Sequence, residues 1–208
     1  MRGTAGRSED QQRVAPAFEG DLTALLSGRE GHFLLESGHH GDLWLDLDAL
    51  FLRPARLSPF VDELAGRLSG HGVMAVCGPL TGGAFVAQAV AATLDAQFFH
   101  ADRLAGPAGV EYRIPAGLRP HLSGCRVAVV DDVLNAGSAV RGTVIDVRRC
   151  DALPVAIGAL LVLGNPASAL ALEMGLALEH VARLESHLWA PGDCPLCASG
   201  AALEALVR

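Results

Sequence analysis

Apolar positions along this chain follow two periods in turn. Leu43-Trp44-Leu45-Asp46-Leu47-Asp48 alternates and predicts a strand, whereas Pro59 to Leu68 has helical spacing behind a Ser58 cap, with a proline in the first turn. Asp21–Ser27 predicts a short amphipathic helix. Beyond residue 70 the rhythm becomes regular: strand Val73–Cys77, an alanine-rich helix Gly82–Leu94, strand Ala96–His100, strand Arg126–Asp131, helix Ala139–Arg149 and strand Val155–Leu163. Alternating strands and helices predict an α/β fold, a central, mainly parallel sheet flanked by helices. Such sheets bind ligands at the carboxyl ends of their strands. Between Asp102 and Leu122 the chain is rich in Gly and Pro and predicts a long loop, of the kind that forms lids or is disordered.

Of the 208 residues, 50% are hydrophobic and 19% charged, which suits one soluble domain and excludes general disorder. The expected layout is a disordered tail over 1–16 and a single domain over 17–208, in which 17–58 and 187–208 are appended segments. No apolar run is long enough to span a bilayer, and the N-terminus lacks a signal-peptide core. Five cysteines, an odd number with three inside apolar stretches, read as reduced thiols and point to the cytoplasm. A net charge of −7 and ten aromatic residues argue against nucleic acid as a partner. All sixteen basic residues are arginine. Without lysine the chain can hold neither a Walker-A phosphate loop nor a Schiff base.

The chemistry concentrates in Val127-Ala128-Val129-Val130-Asp131-Asp132-Val133-Leu134-Asn135-Ala136-Gly137-Ser138-Ala139-Val140-Arg141. An apolar strand delivers two carboxylates, and a small-residue turn then enters a helix. Backbone N–H groups of Asn135, Ala136, Gly137, Ser138 and Ala139, with the positive helix end, make an anion cradle. Asp131 and Asp132 suit the vicinal hydroxyls of a ribose, or a magnesium ion carried by the substrate. Together they would hold a ribose 5-phosphate. The plainer alternative is a helix capped by aspartate, but a cap needs one such residue and no small-residue turn.

This stretch resembles the phosphoribosyl-pyrophosphate (PRPP) motif of the type I phosphoribosyltransferases, and is most similar to that of the orotate enzymes. Val76-Cys77-Gly78-Pro79-Leu80-Thr81-Gly82-Gly83-Ala84 resembles the family's pyrophosphate loop, and Phe33-Leu34-Leu35-Glu36-Ser37-Gly38 with Trp44-Leu45-Asp46 is similar to its N-terminal hood. The resemblance implies the type I phosphoribosyltransferase fold with a small N-terminal hood. It also implies a pentosyltransferase of pyrimidine biosynthesis that moves the 5-phosphoribosyl group of magnesium-bound PRPP to a nucleobase, orotate first of all, as a cytoplasmic homodimer. Asp131 and Asp132 would act in catalysis, Asn135 to Ala139 would hold the 5-phosphate, Thr81, Gly82 and Gly83 the diphosphate, and Phe33, Glu36, Ser37 and Gly38 the base. Asp102 to Leu122 would be the mobile loop that closes over the site, commonly that of the neighbouring subunit.

Two departures keep other readings open. The family's loop carries lysines and a histidine; here Arg103 and Arg113 are the cations to hand, and arginine binds diphosphate but cannot donate a proton to it. His100, just before the loop, is the nearest proton donor. Glu36 stands where orotate enzymes often carry lysine or a small polar residue, and would repel an anionic base. Ser37, Gly38, His39 and His40 could therefore recognise a different base, or the protein could be a PRPP-binding regulator without activity. Finally, Cys194-Pro195-Leu196-Cys197 is at most half of a tetrahedral zinc site, to which His187 could add a third ligand or a second copy another half; the alternative is a reduced structural turn.

Overall fold

The computed structural model describes residues 22, 24–35, 37–106 and 109–205. The expected tail and Glu36 lie outside the described residues, as do Asp21 and Thr23 of the expected first helix. Leu22 is helical, but residues 24–25 turn, and the chain is already extended at Ser27.

Strands β1 (Ser27–Leu34) and β2 (His40–Asp46) form an antiparallel hairpin, and a 3-10 turn over Asp48–Leu52 leads into helix α1 (Pro54–Ser69). There follow β3 (Ala75–Pro79), α2 (Gly82–Leu94), β4 (Gln97–Gly106), β5 (Gly109–Arg113), β6 (Arg126–Leu134), α3 (Ser138–Arg148), β7 (Leu153–Leu163), α4 (Pro166–Met174) and β8 (Ala177–Leu184). The chain ends with β9 (Leu188–Trp189), a single helical turn α5 (Pro195–Ala198) and β10 (Glu204–Ala205).

The main sheet has the order β5-β4-β3-β6-β7-β8 and is parallel except for the β4–β5 pair. Its central strands are covered on both faces, which is why the apolar run Val127–Val130 of β6 and nearly all of β7 are buried. Along β6, Ala128 and Val130 meet Leu64 and Leu68 of α1 and Val90 of α2, whereas Val127 and Val129 meet Val140, Val144 and Val147 of α3. A period of two thus divides one strand between two core layers. At roughly 1.5–3 kcal/mol for each large apolar side chain withdrawn from water, these layers hold β6 and its carboxyl end in place.

Three expectations need correction. Helix α1 starts at Pro54, four residues before Ser58, and the Ser58 hydroxyl donates to the Pro54 carbonyl at 3.4 Å instead of capping the helix. Pro54 is the first-turn proline, where a missing N–H costs nothing. The stretch expected as a loop from Asp102 is largely an antiparallel hairpin, β4 with β5, and a 3-10 turn over Arg119–Leu122. Third, the N-terminal and C-terminal segments share one sheet of order β10-β1-β2-β9, so the hood is built from both ends of the chain.

Candidate active site

The carboxyl end of β6 opens on a cavity of about 570 Å³. On one side are Asp131 and Val133 with the turn Asn135 to Ala139; on the other are hood residues Leu34, Leu35, Ser37, Leu43 and Trp44, with Asp46 and Asp48 below them. One expected base-site residue, Ser37, is therefore on the wall. Phe33 is not: it is 1% exposed and packs inside the hood, with the Arg29 guanidinium 5.4 Å from its ring centroid. Gly38 is absent from the wall and sits at a turn with φ +78°, and Glu36 is outside the described residues. Trp44, Asp46, Asp48 and Leu163 line the cavity without having been singled out as ligand contacts. The alternation through 43–48 gave Trp44 a strand, but not the face it would show.

The phosphate turn is as the residues require. Gly137 has φ +73°, and a Cβ there would come within 2.4 Å of Leu170 Cδ2, so any other residue would be strained and would have to displace Leu170. No side chain caps α3. The first amides of a helix are left over by its own hydrogen bonding, and an anion at the turn would satisfy them.

Behind this wall the two expected motifs are pressed together. A Cβ on Gly82 would lie 2.1 Å from Asp132 Oδ2, and one on Gly83 would lie 2.6 Å from Asp131 Oδ1. Gly78, which the sequence did not single out as a site residue, lets β3 pass the start of α2, because its Cβ would meet the Gly83 carbonyl at 2.1 Å. Glycine at 82 and 83 thus lets the Thr81-Gly82-Gly83 loop lie against the two carboxylates. The Asp132 amide donates to Asp131 Oδ1 at 3.1 Å and the Val133 amide to Asp132 Oδ1 at 2.9 Å. Burial, and after it the neighbouring Asp132 carboxylate, push Asp131 well above the ordinary carboxylate range, against the pull of that amide.

The two expected loop cations are not on the cavity wall. Arg103 is exposed on β4, opposite Tyr112 in the hairpin register. Arg113 is engaged: its Nε and Nη2 donate to Glu111 Oε2 at 3.0 and 2.8 Å. Glu111 holds the Arg113 guanidinium more firmly protonated than usual. Arg113 therefore serves the base of the hairpin, and of the two arginines Arg103 is the one available to a ligand. His100, the expected proton donor, has Nε2 3.5 Å from Asp102 Oδ1 and is also off the wall.

His187 does not join the cysteines. Its Nδ1 pairs with Asp42 Oδ2 at 2.6 Å and its ring stacks on Trp189, so the expected Cys194, Cys197, His187 set is not assembled. The cysteines face two other histidines, His32 and His40.

No family model matches the chain. It is 32% identical over 177 residues to orotate phosphoribosyltransferase of Pelotomaculum thermopropionicum, covering 85% of this chain and 87% of that one. Orotate phosphoribosyltransferase of Thermotoga maritima is 31% identical over 171 residues, 82% of this chain and 87% of that one. The fold is shared with the crystal structure of orotate phosphoribosyltransferase from Aeropyrum pernix, at TM-score 0.63 and 24% identity over 82% and 93% of the two chains. It is likewise shared with that of adenine phosphoribosyltransferase from Rhodothermus marinus, at 0.65 and 17% over 81% and 99%. Identity above 30% along most of both sequences shows that the chain belongs to the orotate phosphoribosyltransferase family.

Proposed function

We propose that this protein transfers the 5-phosphoribosyl group of magnesium-bound PRPP to orotate, giving orotidine 5'-monophosphate and pyrophosphate, as a cytoplasmic homodimer. The observation that carries the reading is the single cavity wall on which Asp131 and the uncapped phosphate turn of α3 lie side by side, with the hood opposite. The relatives' names supply orotate, and five unbridged cysteines suit a reducing compartment.

In this reaction a ring nitrogen bonds to the anomeric carbon as the bond to the diphosphate oxygen breaks, and the departing pyrophosphate keeps the electron pair. Positive charge grows on the ribose ring. The protein's part is to orient the reactants, stabilise that charge and exclude water. Asn135 to Ala139 bind the 5-phosphate through backbone N–H groups. The Asp131 and Asp132 carboxylates accept from the ribose hydroxyls and favour the cationic ring. The Thr81 to Gly83 turn, packed against both aspartates, is placed for the diphosphate. Ser37 and Trp44 face the base, and Arg103 is the cation the β4–β5 hairpin offers to the leaving group. Magnesium suits an oxygen-only set such as the Asp131 carboxylate, whose raised proton affinity marks it as short of positive charge. When bound it neutralises charge on the diphosphate.

Because the chain has no lysine, a second reading remains: a regulator that binds PRPP and does not turn it over. Pyrophosphate release from magnesium PRPP should be measured with orotate, uracil, hypoxanthine and adenine. Release with orotate alone is expected. Release with another base alone would reassign the acceptor and the hood pocket, and silence with PRPP binding intact would favour the regulator.

A further inference from the structure

Away from the cavity, at the junction of the hood with the C-terminal segment, four potential metal ligands meet. His32 comes from β1 and His40 opens β2; Cys194 and Cys197 flank and enter the turn α5. His32 Nε2 lies 3.1 Å from His40 Nδ1, 3.4 Å from Cys194 Sγ and 3.7 Å from Cys197 Sγ, and Cys197 Sγ lies 3.3 Å from His40 Nδ1. All four ligand atoms fall within 4.8 Å of one another.

These four separations, 3.1 to 3.7 Å, are close to those of a tetrahedron. With Zn–N near 2.0 Å and Zn–S near 2.3 Å, tetrahedral ligands stand about 3.3 to 3.8 Å apart. A hydrogen-bonded cluster explains the arrangement less well. Two thiols and two imidazoles would have to share a few hydrogens among contacts that converge on one point, and His32, His40 and Cys194 are each no more than 5% exposed. The outer contacts also fit. His32 Nδ1 is 3.0 Å from the Ala201 carbonyl, so that nitrogen carries the proton and donates, leaving Nε2 as the ligand. Both cysteines are free thiols.

We propose that His32, His40, Cys194 and Cys197 form a closed Cys2His2 zinc site that clasps the C-terminal segment to the hood. Four protein ligands leave no open position, so the metal is structural. Its place in the fold gives it a task. The β1–β2 hairpin that supplies two ligands also carries Leu34, Leu35, Ser37, Leu43 and Trp44 of the cavity wall. Without the metal, the ties between the C-terminal segment and the hood among the described residues are two short strand pairings, β10 on β1 and β9 on β2, and partly exposed polar contacts such as Arg29–Glu204 and His187–Asp42. Zinc fixes the hood by tying the turn end of the hairpin, where Leu34 pairs with His40, to a turn more than 150 residues away.

The test is metal analysis of full-length protein purified without chelator and, separately, after removal of metal and return of zinc. One zinc per chain is expected in both, with loss in Cys197→Ser and His40→Ala and retention in His187→Ala. Cobalt substituted into the unmutated protein should show tetrahedral d–d bands and thiolate charge-transfer absorption, a readout independent of whether the variants fold. Substoichiometric zinc after reconstitution, zinc held equally by Cys197→Ser, loss of zinc in His187→Ala, or a Cys194–Cys197 disulfide in the intact mass would each overturn the site. None of these readouts depends on the transferase reading.

Discussion

Asp146 is wholly and Asp131 partly withdrawn from water, and they are treated in opposite ways. Asp146 is fully buried in α3 beneath three arginines: Arg119 Nη1 at 2.6 Å, Arg113 Nη1 at 3.8 Å and Arg149 Nη1 at 3.9 Å, with the Ile114 amide donating at 2.8 Å. Asp131 has a second carboxylate for a neighbour, and no ion pair reaches it from the described residues. Asp146 is a structural charge, compensated on the spot, and it binds the chain after β5 and the Arg119 turn to α3. Asp131 is a carboxylate whose ionised form no ion pair among the described residues compensates, which is what the proposed role beside a ligand's magnesium and a cationic ribose requires.

That contrast can be broken or sharpened by substitution. Asp132→Asn should lower pyrophosphate release on the order of 10²- to 10³-fold while the far-UV circular dichroism and melting curve stay those of a folded protein, the scale seen when one preorganised electrostatic group is removed. A folded, fully active Asp132→Asn would refute its role. Asp146→Asn should act the other way, losing about 3 kcal/mol of stability, roughly 10 °C in melting temperature, because the Arg119 guanidinium against it keeps its charge without a carboxylate. Turnover at low temperature should change little. Titration supplies a smaller effect. The native state holds the Asp131 proton to a higher pH than the unfolded chain, so its ionisation weakens folding progressively as pH rises from the ordinary carboxylate range through the raised native value. Denaturation midpoints across that window should therefore fall more steeply in the unmutated protein than in Asp131→Asn. Smallest of all, Arg113→Ala should leave turnover nearly unchanged, since that side chain is engaged with Glu111, whereas Arg103→Ala should lower it; equal losses in steady-state kinetics would contradict the assignment.

How much of this was legible in the sequence depended on the range of the interactions. The β6-turn-α3 unit is local: an apolar strand, two aspartates and a small-residue turn are contiguous, and strand and helix form there, although β6 runs three residues past the expected end at Asp131, to Leu134, and so contains both aspartates. Helix α2 over Gly82–Leu94 was likewise readable, from its alanines and its leading glycines. The β4–β5 hairpin was not, because Leu104 and Val110 are exposed and leave no burial pattern among the Gly and Pro residues. Arg113 and Arg119 beside Asp146, and the histidines facing Cys194, are separated along the chain and come together only through tertiary packing. His187, nearest in sequence, drew attention from His32 and His40. The contact of Gly82 and Gly83 with the aspartates was invisible for the same reason, although each glycine was picked out for its own loop.

Asp131→Asn is the most direct test of the central claim, measured as melting temperature and pyrophosphate release on the same preparation. A carboxylate kept for its ligand at a cost to folding predicts a protein that melts higher and turns over on the order of 10²-fold more slowly. An Asp131→Asn protein that melts lower, or that releases pyrophosphate at the original rate, would contradict the account.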